Sequence, residues 1–325
     1  KLAASSSREN AMPLKGPGNL EVPVSFSSFS LIGSTPVGTD FGYFGGGSYP
    51  SVSAYKSTVD RIDFNNDTAT ASPKGNLSRT TQNHGGASST TGGYFFGRYP
   101  AATRVDRIDY SDDTATAVIK GSLTIARGMV ASAGNNDFGY TGGGIAPGST
   151  YFSTVDRIDY SNDTANTLVK GPLSVDRYGL SAAGNQSFGY FMSGVGKTSV
   201  DRIDYGNDTA TASPKGPLNT LNNYNATATG NANFGYVTVG NSPHDSKISR
   251  IDYSNDTATA APKGPLISAR SYRGATGNSN FGYFSGGQNS YTTVHSDISR
   301  IDYSNDTATA LSKGNLSIAK NKDAG

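Results

Sequence analysis

The stretch RIDYSNDTATA at residues 250–260 returns unchanged at residues 300–310. Close variants bring the total to six copies in the 325-residue chain. The six copies begin at Arg61, Arg107, Arg157, Arg202, Arg250 and Arg300, at intervals of 46, 50, 45, 48 and 50 residues. A period close to fifty residues indicates a repeat architecture, in which each unit packs against its neighbours.

Within one repeat, the sequence predicts four short β-strands. Phe138-Gly139-Tyr140 leads into a run of glycines, and residues 155–160 alternate with the period of two that is typical of a half-buried strand. Ser161-Asn162-Asp163 has the composition of a tight turn, and residues 164–169 form the next strand. Residues 178–183 supply a fourth strand of small side chains. Four strands in about fifty residues, without helical periodicity, is the size of one propeller blade.

We therefore expect an all-β fold, a β-propeller of six four-stranded blades. The alternative is a seven-bladed ring whose last blade is completed by an N-terminal strand or by another chain. Residues 1–23 are predicted to be an N-terminal segment that ends in a partial repeat strand, and residues 24–314 to be the propeller. Residues 315–325 are predicted to be a C-terminal tail that begins a further repeat. The unpaired strand edges at such chain ends favour assembly.

The order of features resembles the kelch repeat over residues 24–320. A strand ending in a glycine pair is followed by the V-x-x-I-D-Y strand, a hairpin, a Leu-x-x-x-Arg segment and a strand of small residues. Kelch blades normally carry a Trp after the hairpin, whereas this chain contains no Trp. The resemblance therefore implies a kelch-like propeller with lighter packing.

The units also resemble the kelch-like repeats of structural or tail-associated virion proteins of marine bacteriophages, especially cyanophages. This resemblance implies a virion or extracellular location and a role in structure or host attachment. It implies as partners the other protein subunits of an assembly, or a receptor or glycan of the host surface. The chain is accordingly expected to be an oligomer or part of a larger complex.

The repeats differ in length at one place. The Arg of each RID motif precedes the Lys of a Lys-Gly pair by 13 residues in all six copies, whereas the Tyr of each FGY-type strand precedes that Arg by 12 to 18 residues. Loops tolerate such variation and carry recognition more often than paired strands do. The sequence thus predicts one face with six unlike loops, and an opposite face with six similar hairpins. The variable loops are residues 45–58, 97–104, 142–154, 194–199, 240–247 and 286–297.

Tyr together with Ser, Gly and Asn is the composition of adaptable binding loops, although loops that vary without functional constraint would look similar. Eleven residues in these loops are the predicted binding residues. They are Tyr49, Tyr55, Arg98, Tyr99, Tyr151, Phe152, His244, Asp245, Tyr291, His295 and Asp297.

The repeated arginines and aspartates of the RID motif have two interpretations. They could form a ring of charged groups around a binding channel, or arginine–carboxylate pairs that join neighbouring strands and blades. We favour the structural role because all six copies carry these residues. The repeated aspartates are Asp63, Asp109, Asp159, Asp204, Asp252 and Asp302.

Several classes of function are not supported by the sequence. The net charge of +2 gives no indication of nucleic-acid binding, and no apolar run is long enough to span a membrane. The chain has no Cys, its three His residues lack metal-ligand spacing, and nucleophile or phosphate-binding motifs are not found. We expect no enzymatic activity, no cofactor and no metal. The sequence favours a non-enzymatic structural or adhesion propeller with variable loops on one face, and the alternative is a soluble glycan-binding lectin.

Overall fold

The structure is a computed structural model that describes residues 40–49, 54–221, 225–238, 244–289 and 293–325. The predicted N-terminal segment, residues 1–23, lies outside the described residues, and so does Tyr291. The described residues form six antiparallel blades, which confirms the predicted all-β propeller. We name the four strand positions of a blade inner, second, third and outer, counted from the central axis to the rim.

The blades follow one another in chain order, and the strands of each run from the inner to the outer position. Blade 1 has Phe41–Gly45, Val59–Asp63 and Ser72–Lys74 at its second, third and outer positions. Blade 2 has Gly85–Ser88, Gly92–Phe96, Val105–Asp109 and Val118–Ile119. Blade 3 has Ala131–Gly134, Phe138–Gly142, Val155–Asp159 and Leu168–Lys170. Blade 4 has Leu180–Gly184, Phe188–Ser193, Val200–Asp204 and Ser213–Pro214. Blade 5 has Ala228–Gly230, Phe234–Thr238, Ile248–Asp252 and Ala261–Lys263. Blade 6 has Gly274–Gly277, Phe281–Ser285, Asp297–Asp302 and Leu311–Asn315.

Shorter elements lie in the connections. Two of the variable loops contain small two-stranded sheets, Ser48–Tyr49 with Ala54–Tyr55 and Ile145–Ala146 with Thr150–Tyr151. In five blades the hairpin between the third and outer strands opens with a single 3₁₀ turn. These turns are Tyr110–Asp112, Tyr160–Asn162, Tyr205–Asn207, Tyr253–Asn255 and Tyr303–Asn305.

Strand pairing places the two kinds of loop on opposite faces. In blade 3, Phe138 pairs with Asp159 at one end of the strands and Gly142 pairs with Val155 at the other end. The loop between the second and third strands therefore leaves from the Gly142 end. We call that side, together with the connectors between blades, the variable face. The hairpins between the third and outer strands form the opposite side, which we call the hairpin face.

The strand of small residues belongs to the blade of the FGY strand that follows it in sequence. Ala131–Gly134 pairs with Phe138–Gly142, so the small side chains lie at the inner position of blade 3. Inner strands of neighbouring blades pack against one another around the axis. Small side chains are needed at this position because six strands converge there.

The C-terminal tail closes the ring. Gly45 of blade 1 donates to the carbonyl of Ala324 at 2.8 Å and accepts from its N–H at 3.2 Å. Residues of the tail thus occupy the inner position of blade 1, beside a second strand that lies almost 280 residues earlier in the chain. The tail is predicted to begin a further repeat. In the structure it supplies the inner position of blade 1, so the ring has six blades and not the alternative seven.

Tyrosine rings fill the seams between blades, where this Trp-free chain has no larger ring to use. Tyr140 of blade 3 is fully buried and stacks on Tyr205 of blade 4 with 4.6 Å between ring centroids. The blade 2–3 and 4–5 seams hold the equivalent pairs Tyr94–Tyr160 and Tyr190–Tyr253. Buried stacked rings combine a large apolar area with a defined geometry, which fixes the angle between blades.

Candidate functional site

A cluster of three donors around one aspartate joins each blade to the next. In the seam between blades 3 and 4, Asp208 Oδ2 accepts from Tyr140 Oη at 2.9 Å and from Arg157 Nη1 at 2.8 Å. Lys170 Nζ lies 3.1 Å from Asp208 Oδ1. Burial pushes the pKa of Asp208 upward, but these hydrogen bonds and charges outweigh burial and hold that pKa below its ordinary value.

The same aspartate recurs in every seam, and we call these clusters the seam clamps. In each of them the aspartate accepts from the Tyr of the preceding FGY-type strand and faces the Arg and Lys of the preceding repeat. The six aspartates are Asp67, Asp113, Asp163, Asp208, Asp256 and Asp306.

The repeated arginines therefore lie on third strands, in seams between blades. Arg157 also stacks over the Phe138 ring, with its Cζ 4.1 Å from the centroid. Arg107 is the exception, because Gly92 stands where other blades have the Phe. Its Nη1 instead donates to Asp109 at 3.1 Å, and its Nε is 3.7 Å from Asp163.

The repeated aspartates of the RID motif have a local role at the hairpin face. Asp159 Oδ1 accepts from the backbone N–H of Ser161 at 2.9 Å and from its hydroxyl at 2.6 Å. These bonds hold the pKa of Asp159 below its ordinary value and cap the 3₁₀ turn. The equivalent aspartates Asp63, Asp109, Asp204, Asp252 and Asp302 accept from the residue two positions later in the same way.

Beneath the variable face, a second set of ion pairs is fully buried. Arg127 Nη1 lies 3.0 Å from Asp156 Oδ2, and Arg177 Nη2 lies 2.8 Å from Asp201 Oδ2. In blade 1 a lysine takes the place of the arginine. Lys320 Nζ lies 3.0 Å from Asp60 Oδ2 and donates to the carbonyl of Phe44. These pairs anchor the base of the variable loops to the strands beneath them.

Three of the predicted loop tyrosines are exposed on the variable face. Tyr49, Tyr99 and Tyr151 are 37%, 41% and 42% exposed, and they lie in the loops of blades 1, 2 and 3. The Tyr151 ring stacks on Tyr178, a connector residue that the sequence did not single out, with 4.7 Å between centroids. Tyr55, Phe152 and Arg98 are half-buried.

The other predicted loop residues bind neighbours within the chain. His244 Nδ1 lies 3.0 Å from Ser271 Oγ, and Asp245 Oδ2 lies 2.8 Å from Lys247 Nζ. Asp297 pairs with Arg270 at the base of the loop in blade 6. Burial and the nearby Arg270 lower the pKa of His295. The contacts of His244, Asp245 and Asp297 therefore stabilise the loops of blades 5 and 6.

At the mouth of the central channel on the variable face, the structure reveals a ring that sequence reasoning missed. One residue from each inner strand entry has a positive φ, between 45° and 65°. Main-chain bonds connect successive members: Met129 N donates to Asn83 O at 2.7 Å, and Asn83 N donates to Lys322 O at 3.0 Å. The six residues are Asn83, Met129, Gly179, Asn225, Tyr272 and Lys322.

The residue that follows each member of this ring is polar on one side of the axis and apolar on the other. Arg273, Asp323 and His84, in blades 6, 1 and 2, are each less than 9% exposed. Blades 3, 4 and 5 have apolar side chains there. These are Val130, Leu180 and Ala226.

Burial changes the proton affinities of these three polar residues. It lowers the pKa of His84 to about 3, with the charge of Lys320 adding to the effect, so His84 is neutral in the folded protein. It raises the pKa of Asp323 to about 6 and lowers the pKa of Arg273 to about 10. The channel below has a volume of about 80 Å³ and is lined mainly by Gly, Ala and Ser. A channel of this size is far smaller than ligand pockets of roughly 300–1,000 Å³.

Within the described ranges, no group of three or more His, Asp or Glu side chains is placed to hold a metal ion. The helical turns of this part of the chain are too short and too polar for any of them to cross a membrane. The geometry thus defines a β-propeller disc with one repetitive and one variable face.

Comparison with known proteins supports the fold. The chain is similar to the solved structure described as "Structure of YjhT", with a TM-score of 0.63 over 76% of this chain and 88% of that chain. The two sequences are 12% identical, so the likeness concerns the fold alone. No protein-family model matches the chain, and no curated protein matches it.

Proposed function

We propose that the protein is a non-enzymatic structural or adhesion propeller of a virion or extracellular assembly, and that its variable face binds a protein or a host surface. The distribution of exposed apolar side chains carries this proposal. In the described part of the chain, the large exposed ones lie on the variable face or at the rim, and none lies on the hairpin face. Those of the variable face are Tyr49, Tyr99, Tyr151, Val175, Leu221, Ile267 and Ile318, and those of the rim are Val118, Ile119, Leu168, Val169 and Leu311.

The seam clamps support a display role. A face that binds a partner gains affinity when its loops are already held in place before binding. Here the strands beneath the loops are fixed by clamps in every seam and by buried ion pairs such as Arg177–Asp201. Exposed Tyr and Arg side chains on such a base have the composition of protein-binding surfaces.

The rim supports assembly between discs. In blades 1, 4 and 5 the outer strand contains Pro73, Pro214 or Pro262, and a proline blocks the addition of a further strand. At the equivalent position blades 2 and 3 have Ile119 and Val169, which are 57% and 58% exposed. Two neighbouring blades therefore present apolar strand edges to which another β-strand can pair.

A soluble lectin is the second candidate, because an exposed aromatic ring is a stacking surface for a sugar. The Tyr151 ring, which packs on Tyr178, is the observation that favours it. A saturable hit on a glycan array, lost in Tyr151→Ala, would replace the scaffold hypothesis by the lectin. The variable loops differ between blades, whereas a multivalent lectin repeats one pocket, so we retain the scaffold as the main proposal.

Light scattering across a dilution series tests the main proposal. We expect an oligomer or filament that dissociates in Val169→Pro, which copies the residue of blade 4. Ser312→Pro, at the same position of blade 6, is the control and should leave the mass unchanged. A monomer of 33.7 kDa at all concentrations would contradict the assembly role.

A further inference from the structure

Three cations on the variable face lie in or beside one connector, residues 79–82. Arg79 is exposed within it, and Arg98 Nη1 donates to the carbonyl of Thr80 at 3.3 Å. On the other side, the main chain of Lys56 pairs with that of Thr81. The exposed Tyr99 follows Arg98, and its N–H donates to the carbonyl of Gln82 at 3.0 Å. We call Lys56, Arg79, Arg98 and Tyr99 the cationic patch.

The patch exists because this repeat departs from the others. Four of the other connectors carry a buried cation four residues after their leucine, namely Arg127, Arg177, Arg270 or Lys320, and each is paired with an aspartate. In the first repeat that position is Thr81, and Arg79 stands two residues earlier, on the surface. The aspartate of the neighbouring third strand, Asp106, pairs instead with Arg104 at 2.8 Å.

The three cations of the patch have no acidic partner among the described residues. The aspartates nearest in the sheets, Asp60 and Asp106, are at most 4% exposed and are already paired. The segments that form the patch, residues 54–58, 79–82 and 98–104, contain no Asp or Glu. Arg79, Arg98 and Lys56 thus produce a local positive field on a chain whose net charge is only +2.

We propose that the cationic patch binds an anionic polysaccharide, through its carboxylate or sulfate groups. This inference rests on the proposed function, because it specifies the chemistry of the surface that the variable face binds. The arginines bind carboxylate or sulfate oxygens, and the exposed Tyr99 ring supplies a stacking face for a sugar ring beside those charges. An acidic peptide fits less well, because its side chains offer carboxylates but no sugar ring to stack on the exposed Tyr99.

Binding to immobilised alginate, a polyuronate, tests the proposal by interferometry on the full chain, with neutral dextran as the reference surface. We expect binding to alginate and not to dextran, and binding should weaken steeply between about 0.05 M and 0.5 M salt because added ions screen exposed charges. The double variant Arg79→Gln with Arg98→Gln should bind about tenfold more weakly. Tyr99→Ala should weaken binding to alginate but not to polyglutamate.

The matched control is Lys197→Gln, compared with Arg79→Gln alone, because each variant removes one exposed positive charge from the variable face. An equal loss in this control would show that only net charge matters and would overturn the proposal. Equal binding to polyglutamate and alginate, unaffected by Tyr99→Ala, would assign the patch to an acidic protein instead. Retained oligomerisation with no binding to alginate would refute the patch while leaving the proposed function intact. Thermal melts of each variant identify any that fail to fold.

Discussion

On the hairpin face, every repeat contributes the same aspartate to a seam clamp, while on the variable face equivalent positions hold different residues. Asp208 and Asp306 accept from Tyr, Arg and Lys with nearly the same distances. At the channel mouth, by contrast, His84 stands where blade 3 has Val130 and blade 1 has Asp323. Both faces are built from the same repeat, but the residues of the variable face differ more between blades than the residues of the hairpin face.

The physical reason is the contact that each face makes with a neighbouring blade. Gly171 lies against the hairpin of blade 4, and its N–H donates to the carbonyl of Asp208 at 2.8 Å. Any change there must be matched in the adjacent blade. The tips of the variable loops contact solvent, so a change there needs no matching change in another blade. Four changes test this difference, from the largest expected effect to the smallest.

Gly171→Ala should cause the largest loss. A Cβ at this position would lie 1.8 Å from the carbonyl oxygen of Ala210, and two backbones cannot separate without opening the seam. We expect the free energy of unfolding to fall by about 4 kcal/mol, measured by chemical denaturation. Gly206→Ser, in the hairpin itself, is the control, because Ser occupies that position in blade 3. Comparable stability of both variants would argue against the close seam.

Asp208→Asn should rank second. It leaves Arg157 and Lys170 partly buried without their carboxylate, a situation that costs about 3 kcal/mol. The folded pKa of Asp208 is lowered, so its contribution is present above about pH 4 and disappears as pH falls further. Denaturation at pH 7 and pH 3 should therefore show a difference between wild type and variant that shrinks in acid. Asp137→Asn, at an exposed turn, should have little effect at either pH.

His84→Val should change the response of stability to pH. Because burial keeps His84 neutral when folded, only the unfolded chain takes up its proton between about pH 6.5 and pH 3, and acid destabilises the wild type. The variant has the residue that blade 3 carries at this position, Val130, and it does not lose stability through protonation of a histidine in the unfolded chain. Relative to wild type it should gain about 2 kcal/mol on going from pH 7 to pH 5.

Asp323 acts in the opposite direction, because its raised pKa makes the folded state bind a proton first. The pH dependence of wild type alone is therefore ambiguous, and melting both proteins at each pH isolates His84. A stability difference between wild type and His84→Val that does not change with pH would show that His84 is accessible to protons in the folded state.

Tyr151→Ala should have the smallest effect on stability. Tyr151 is exposed although it stacks on Tyr178, and we expect a loss below about 1 kcal/mol. Tyr140 makes a similar stack with Tyr205 inside a seam, and Tyr140→Ala should cost about 4 kcal/mol. The ratio of these two losses, from denaturation, measures how far the faces differ. Equal losses would mean that the variable loops are part of the core.

Much of the fold could be predicted from the sequence because it is encoded locally. The alternation of residues 155–160 and the turn at Ser161-Asn162-Asp163 specify strand and hairpin within one repeat. Six copies of that unit favour six blades, and the seven-bladed alternative is settled only by the pairing of the C-terminal tail with blade 1. The unlike loops were visible as differences in spacing, so the exposed Tyr49, Tyr99 and Tyr151 could be named. Their binding role remains a prediction.

The partners of the charged residues were less accessible to prediction. Arg157 and Asp159 lie two residues apart, yet Arg157 pairs with Asp208 of the next blade while Asp159 caps its own turn. The cationic patch was equally hidden: Lys56, Arg79 and Arg98 belong to three separate segments of two repeats. The period shows which residues recur in each repeat. It does not show which residue of one blade contacts which residue of the next blade across a seam.

The sequence by itself determined the strands, the six repeats and the face on which the repeats vary, because these follow from local pattern and period, and it left six and seven blades open. Only the tertiary structure decided that the C-terminal tail pairs with Gly45, that the seams are clamped through the Asp of the hairpin, and that Arg273, Asp323 and His84 line one side of the channel mouth. Those contacts join residues from different repeats, and they form only when the ring closes.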